Sequence, residues 1–341
     1  MENIETELNE LTTGLLYLPK NHALNFPEPS EQLAFKEVLY EPESVDEETL
    51  NYKFLMPAIE ASKSEPADFI VGFSSDLKRI ILAYVNPDGK FQAFNAHQQA
   101  AFFAEYFLTL SSPGEYTDAE EKLVVKSLLL SNQIDNIVKK NEGKIAYSHA
   151  GYDSLKEVIK NSGNVSVIGF DDRNTVIVNP EDVVENALKL LDMLSGIFLG
   201  LKAKNLSLFD KHVSIQTRYN LYGEKTFNMA SESKKLFDKY RMHPPADLIH
   251  DELILITDYK KKVFSNLLTG RKGPTELEQM NLVQLDYTSG LRISVEYIED
   301  QNRIVLHLSN YTHCYDKSRY AESRKAVHDR LLKTVVSLGK M

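Results

Sequence analysis

Residues 179–205, NPEDVVENALKLLDMLSGIFLGLKAKN, decide how this chain is read. Val183, Val184, Ala187, Leu188, Leu190, Leu191, Met193, Leu194, Ile197, Phe198, Leu199 and Leu201 begin at helical spacing and then wrap most of the circumference. A helix apolar on most sides is buried on most sides. Asn179 is a cap residue, Pro180 suits the first helical position, and Glu181 and Asp182 favour the positive end of the dipole. Lys202 and Lys204 suit the other end. The stretch predicts a central helix over 180–204. It does not read as a membrane span. Lys189, Asp192 and Lys202 interrupt it, leaving an uncharged run of only nine residues, Met193 to Leu201, where a span needs about 20.

Around this helix the chain offers hairpins. FIVGFSSDLKRIILAYVNP (69–87) and VSVIGFDDRNTVIVNP (165–180) share an order: apolar strand, Gly-Phe, acidic turn, apolar strand, Asn-Pro. Each leads into a long apolar helix. A third hairpin, strands 291–298 and 303–309, leads into helix 312–338. A lone hairpin is marginal and needs a helix over one face. The fold class expected is therefore α+β: antiparallel hairpins and a meander covered by long helices, in repeated ββα units and two closely packed halves. The expected divisions are an acidic N-terminal arm over 1–45, an α+β domain over 46–208 and a second over 209–341.

Between these units the pattern reads as helix 4–16, helix 46–62, helix 95–110, helix 117–140 behind a Thr117–Glu120 capping box, strand 144–149 and helix 153–161 behind a Ser154–Glu157 box. HVSIQTRYNLY (212–222) alternates like a half-wet strand. Strand 252–259 is followed by KKKVFSNLLTG (260–270), read as a helix, and 281–309 reads as a three-stranded meander.

A chain of 341 residues, 43% hydrophobic and 26% charged, can bury a sizeable core. Residues 1–66 hold 14 Asp/Glu against four Lys/Arg, which accounts for the whole net charge of −10. A single cysteine, Cys314, excludes an internal disulfide and a cysteine-based zinc site. With no leader pattern, the expected location is the cytoplasm.

The search for chemistry is mostly negative. No phosphate loop, dinucleotide fingerprint, nucleophile elbow or zinc helix is present. Asp247 precedes an apolar strand that ends Asp258-Tyr259-Lys260, a spacing that can hold Mg²⁺ and orient water in nucleases. Lys260, Lys261, Lys262, Arg271 and Lys272 form one basic stretch, and Arg324 and Lys325 belong to another on the last helix. The leading expectation is a non-enzymatic assembly protein with a protein partner or self-association, no membrane partner, no metal and no cofactor. The alternative is a nucleic-acid-binding protein or metal-dependent nuclease using 247–272 and the last helix, with Asp247, Asp258 and Lys260 as catalytic candidates and Mg²⁺ as cofactor.

Overall fold

A computed structural model describes residues 12–25, 33–44, 50–109, 121–163, 166–229, 233–248, 251–275, 277 and 279–339. Two compact units divide at Ile215/Gln216. The described residues are α+β throughout.

Unit 1 contains two sheets of one design. In the first, β1 (Thr12–Pro19) is flanked in parallel by β2 (Leu33–Tyr40) and β3 (Phe69–Phe73), and β4 (Ile80–Val85) and β5 (Phe91–Ala93) continue antiparallel. In the second, β6 (Lys122–Ser127) is flanked in parallel by β7 (Lys144–Ser148) and β8 (Ser166–Phe170), and β9 (Val176–Ile177) follows antiparallel. The orders β2-β1-β3-β4 and β7-β6-β8-β9 match strand for strand. The echo between the two acidic turns thus has a structural counterpart. The two sheets meet where Ile80 N donates to Asn174 O at 3.0 Å, beside a bridge between Arg79 and Thr175.

Helices cover these sheets: α1 (Met56–Ala61), α2 (Ala96–Thr109), α3 (Gln133–Lys140), α4 (Tyr152–Lys160), α5 (Val183–Lys202) and α6 (Leu208–Arg218). α5 is the central helix expected from 179–205. Leu191 and Phe198 are 2% and 6% exposed, and the Phe198 ring stacks on Phe69 of β3 at 3.4 Å. Burying each such side chain contributes about 1.5–3 kcal/mol. Its cap is Asp182, which accepts from Glu185 N at 2.8 Å, not Asn179. Fully buried Asn186 ties the helix to β9 by donating to Val176 O and accepting from Val178 N and Asn179 N; a buried amide is tolerated when its bonds are made.

Several local expectations fail here. Part of the stretch expected as an acidic arm forms β1 and β2, and Leu15, Leu16 and Leu18 are fully buried. Thr12–Pro19 is therefore strand, not the end of a helix, and residues 4–11 lie outside those described. The helix expected over 46–62 shrinks to α1, because Pro57 starts it. The helix expected over 117–140 is β6 plus α3; its Thr117–Glu120 box lies outside the described residues. Residues 212–218 belong to α6, not to an alternating strand. α4 opens on Gly151, at φ 106°, without a side-chain cap, so the Ser154–Glu157 box does not form its start.

Unit 2 is one seven-stranded sheet, ordered β10-β16-β15-β14-β11-β12-β13. The strands are β10 (Leu221–Met229), β11 (Leu253–Asp258), β12 (Val263–Asn266), β13 (Lys272–Pro274), β14 (Leu282–Tyr287), β15 (Arg292–Ile298) and β16 (Arg303–Thr312), all paired antiparallel. The expected meander is β14–β16. α7 (Ser233–Met242) packs on β15 and β16, and α8 (Tyr320–Leu338) on β10 and β16. α8 lays Val327 and Leu331 onto the sheet, close enough to β10 that a Cβ on Gly223 would stand 2.4 Å from Val327. Residues 260–270 form a turn and hairpin, not a helix.

Candidate functional site at the carboxyl edge of the second sheet

In a parallel sheet, ligands settle outside the carboxyl ends of strands where successive connections leave in opposite directions. The second sheet has such a point. β6 leads through α3 to β7 on one side, while β8 turns into β9 on the other. The chain ends of β6, β7 and β8 and the start of α4 therefore share one edge, and the β3–β4 turn joins it through the Ile80–Asn174 bond.

Each group on this edge is fixed by its neighbours. Asp171, 1% exposed, accepts from the amides of Gly151, Arg173 and Thr175, each at 2.8 Å. It thereby locks the β8–β9 turn to the start of α4. Ser127, the last residue of β6, donates to Asp172 at 2.9 Å. In the β3–β4 turn, Asp76 accepts from Ser74 Oγ at 2.6 Å and Lys78 N at 3.1 Å. Buried Lys126 donates to Leu130 O, Ser131 O and the Asp135 carboxylate, which also accepts from the Tyr147 hydroxyl. An ammonium this deep is tolerable only when so satisfied. It holds the β6–α3 loop in place.

Donors remain on this edge. Ser131 Oγ, Ser148 Oγ, the Tyr152 hydroxyl and Asn174 Nδ2 are buried and have no hydrogen-bond partner among the described residues. Buried polar groups are normally paired, and a cluster of exceptions asks for an acceptor. Burial, then the carboxylates of Asp153, Asp182 and Glu181, raise the Tyr152 hydroxyl above its ordinary pKa, so it stays a donor at neutral pH. The Lys78 ammonium lies 5.3 Å from the Tyr152 ring centre, and that of Lys156 5.9 Å. Lys78, Lys156 and Arg173 have no carboxylate partner among the described residues. The uncapped start of α4 adds amide donors and the positive end of a dipole.

A half-open cavity of about 490 Å³ lies elsewhere in unit 1, between the start of β1, the end of α5 and the start of α6. Its carboxylates are engaged: Asp68 accepts from Thr13 N, and Asp210 from Ser207. It has size without convergent chemistry.

The residues singled out from sequence lie in unit 2, where Asp258 and Lys260 come to the same pair, Arg241 and the Phe237 ring. Asp258 is 6% exposed and paired with Arg241 at 3.0 Å. Asp247 stands in an isolated bridge with Glu252. Lys260 lies over the Phe237 ring at 5.7 Å. Lys261, Lys262, Arg271 and Lys272 surround an edge hairpin, while Arg324 and Lys325 are exposed on α8. Among the described residues, no three His, Cys, Asp or Glu side chains come together as metal ligands, and no helix is long and apolar enough to cross a membrane.

No family model and no curated protein matches this chain in sequence. Solved structures do match in fold. The open form of parafusin, an exocytosis-sensitive phosphoprotein and phosphoglucomutase from Paramecium, aligns over 85% of this chain and 50% of its own, at 10% identity and a TM-score of 0.53. A phosphoglucomutase/phosphomannomutase family protein from Burkholderia thailandensis aligns over 96% of this chain and 62% of its own, at 13% identity and a TM-score of 0.52. The chain thus spans between half and two thirds of the length of these mutases. The comparison corrects the functional expectation. These two neighbours in fold are phosphosugar mutases, which overturns both the non-enzymatic assembly protein and the nucleic-acid-binding or nuclease alternative.

Proposed function

We propose that this chain is an enzyme of phosphosugar chemistry, of the mutase type, and that the carboxyl edge of β6 and β8 receives the phosphorylated sugar. One observation carries the proposal: four buried donors without acceptors and three cations without carboxylate partners, among the described residues, lie along one sheet edge, with Lys78 and Lys156 over Tyr152 at the uncapped start of α4, in a fold shared with phosphoglucomutases. Moving a phosphoryl group between two sugar oxygens requires its charge to be met, the proton of the accepting hydroxyl to be taken as the new P–O bond forms, and that proton to be given to the oxygen whose P–O bond breaks. Lys78, Lys156, Arg173 and the first amides of α4 supply the first. Asp172, half-buried and held by Ser127, is placed to supply the second. The donors of this edge do not make a metal-ligand set among the described residues. We place the reaction in the cytoplasm.

The test is phosphorus NMR of the full chain with glucose 1-phosphate and mannose 1-phosphate. The proposal expects conversion to the 6-phosphates, slowed about a hundredfold by Asp172→Asn, as loss of a general base slows proton transfer. Unchanged substrate, together with no saturable phosphosugar binding, refutes it.

A further inference from the structure

The basic stretch 260–272 remains unused by this proposal, and the structure gives it a shape. β12 and β13 form the hairpin at one edge of the unit 2 sheet. Its turn carries Leu267 and Leu268, 50% and 69% exposed, and Val263 at the start of β12 is 41% exposed. Turns of this kind ordinarily carry Gly, Asn, Asp or Ser. Here Asn266 does that work by accepting from Thr269 N at 2.9 Å, so the leucines are not needed to make the turn. Between Tyr259 and Thr275 the sequence has five cations and no Asp or Glu. None of the five has a carboxylate partner among the described residues. The four residues of β12 separate the lysine turn from the leucine turn by about 13 Å, and Arg271 and Lys272 stand beside the leucines. Residues 216–341 hold 20 Lys/Arg against 16 Asp/Glu, in a chain whose net charge is −10.

We infer that this hairpin docks unit 2 on an anionic lipid surface. Leu267 and Leu268 enter the boundary between headgroups and acyl chains. Arg271, Lys272 and the lysines of the β11–β12 turn meet lipid phosphates. Exposed aliphatic side chains flanked by cations that have no carboxylate partner among the described residues suit that interface, where apolar burial and attraction to anionic headgroups add. A free phosphate would leave the leucines in water. The inference departs from the sequence expectation of no membrane partner, and it stands independently of the phosphosugar reading.

The experiment is flotation of the full chain with vesicles of phosphatidylcholine alone or with about one third phosphatidylglycerol, the anionic fraction that gives a membrane its surface potential. Binding is expected to the anionic vesicles only, and to fall steeply at high salt. Leu267→Ser with Leu268→Ser, and separately Lys261→Glu with Arg271→Glu, should each lower the bound fraction about tenfold, with the circular dichroism spectrum unchanged. No flotation with anionic vesicles at low salt overturns the inference. So does flotation that neither pair of substitutions alters. Binding to polyglutamate without binding to vesicles also overturns it, and assigns the hairpin to an acidic protein instead.

Discussion

Replacing Asp171 with alanine should damage the second sheet of unit 1 more than any exposed substitution near it. The carboxylate is 1% exposed and accepts three backbone amides at 2.8 Å. A hydrogen bond to a charged acceptor contributes about 1.5–3 kcal/mol net. Three sharing one carboxylate are not additive, so the loss should be about 3–5 kcal/mol. Asp171→Asn keeps one oxygen for two of the amides but turns an NH₂ toward the third, and should cost about 1–2 kcal/mol. Urea unfolding followed by circular dichroism reads the difference, provided the urea slope is unchanged. Hydrogen exchange gives a local check, since the Gly151 amide should lose protection in both variants. A loss under about 1 kcal/mol for the alanine variant, or an unaltered Gly151 amide, would show that Asp171 does not organise this edge.

Other outcomes follow from the same geometry. Lys126→Met leaves the Leu130 and Ser131 carbonyls without their donor and should cost about 2–4 kcal/mol in the same assay; a stability gain would mean the loop is held otherwise. Gly290→Ala, at φ 82° and with its Cβ 2.2 Å from the Tyr311 ring, should lower the melting temperature of unit 2, and an unchanged melt would contradict the close approach. Burial pushes the Tyr259 hydroxyl up to about 12, against Arg292 and aided by Asp286. The unfolded chain, with an ordinary value near 10, loses this proton first, so stability is intact below pH 10 and falls as pH rises from there toward 12. Tyr259→Phe should soften that alkaline decline, measured as the unfolding midpoint against pH; an unshifted decline would show that Tyr259 does not cause it.

What could be read from sequence depended on how much each period had to choose between. Residues 179–205 were long and apolar enough that only a buried helix fitted, and 281–309 carried turn residues at every corner. LVVKS (123–127) failed because five apolar-rich residues suit a buried parallel strand and a helical stripe equally well. In 212–218, Val213, Ile215 and Tyr219 match alternation, yet buried His212 and Gln216 complete a helical face. KKKVFSNLLTG sets two leucines between Asn266 and Gly270, where the hairpin turns, so it passed for a helix.

The candidate site was half visible. The repeated Gly-Phe and acidic turn marked where β3–β4 and β8–β9 would lie. Nothing in the linear order showed that Ser131, Ser148, Tyr152 and Asn174 would share an edge with Lys78, because parallel pairing brings them together from distant segments. The nuclease-like spacing of Asp247, Asp258 and Lys260 misled for the converse reason. Asp258 was taken by Arg241 from another element, and Lys260 lies over the Phe237 ring.

Titration calorimetry of the full chain with glucose 1-phosphate and with glucose tests the central claim most directly. The account predicts saturable binding of the phosphorylated sugar, none of the free sugar, and loss of binding in Lys78→Glu with Arg173→Glu. Equal heats for the two sugars, or undiminished binding in that double variant, would contradict it.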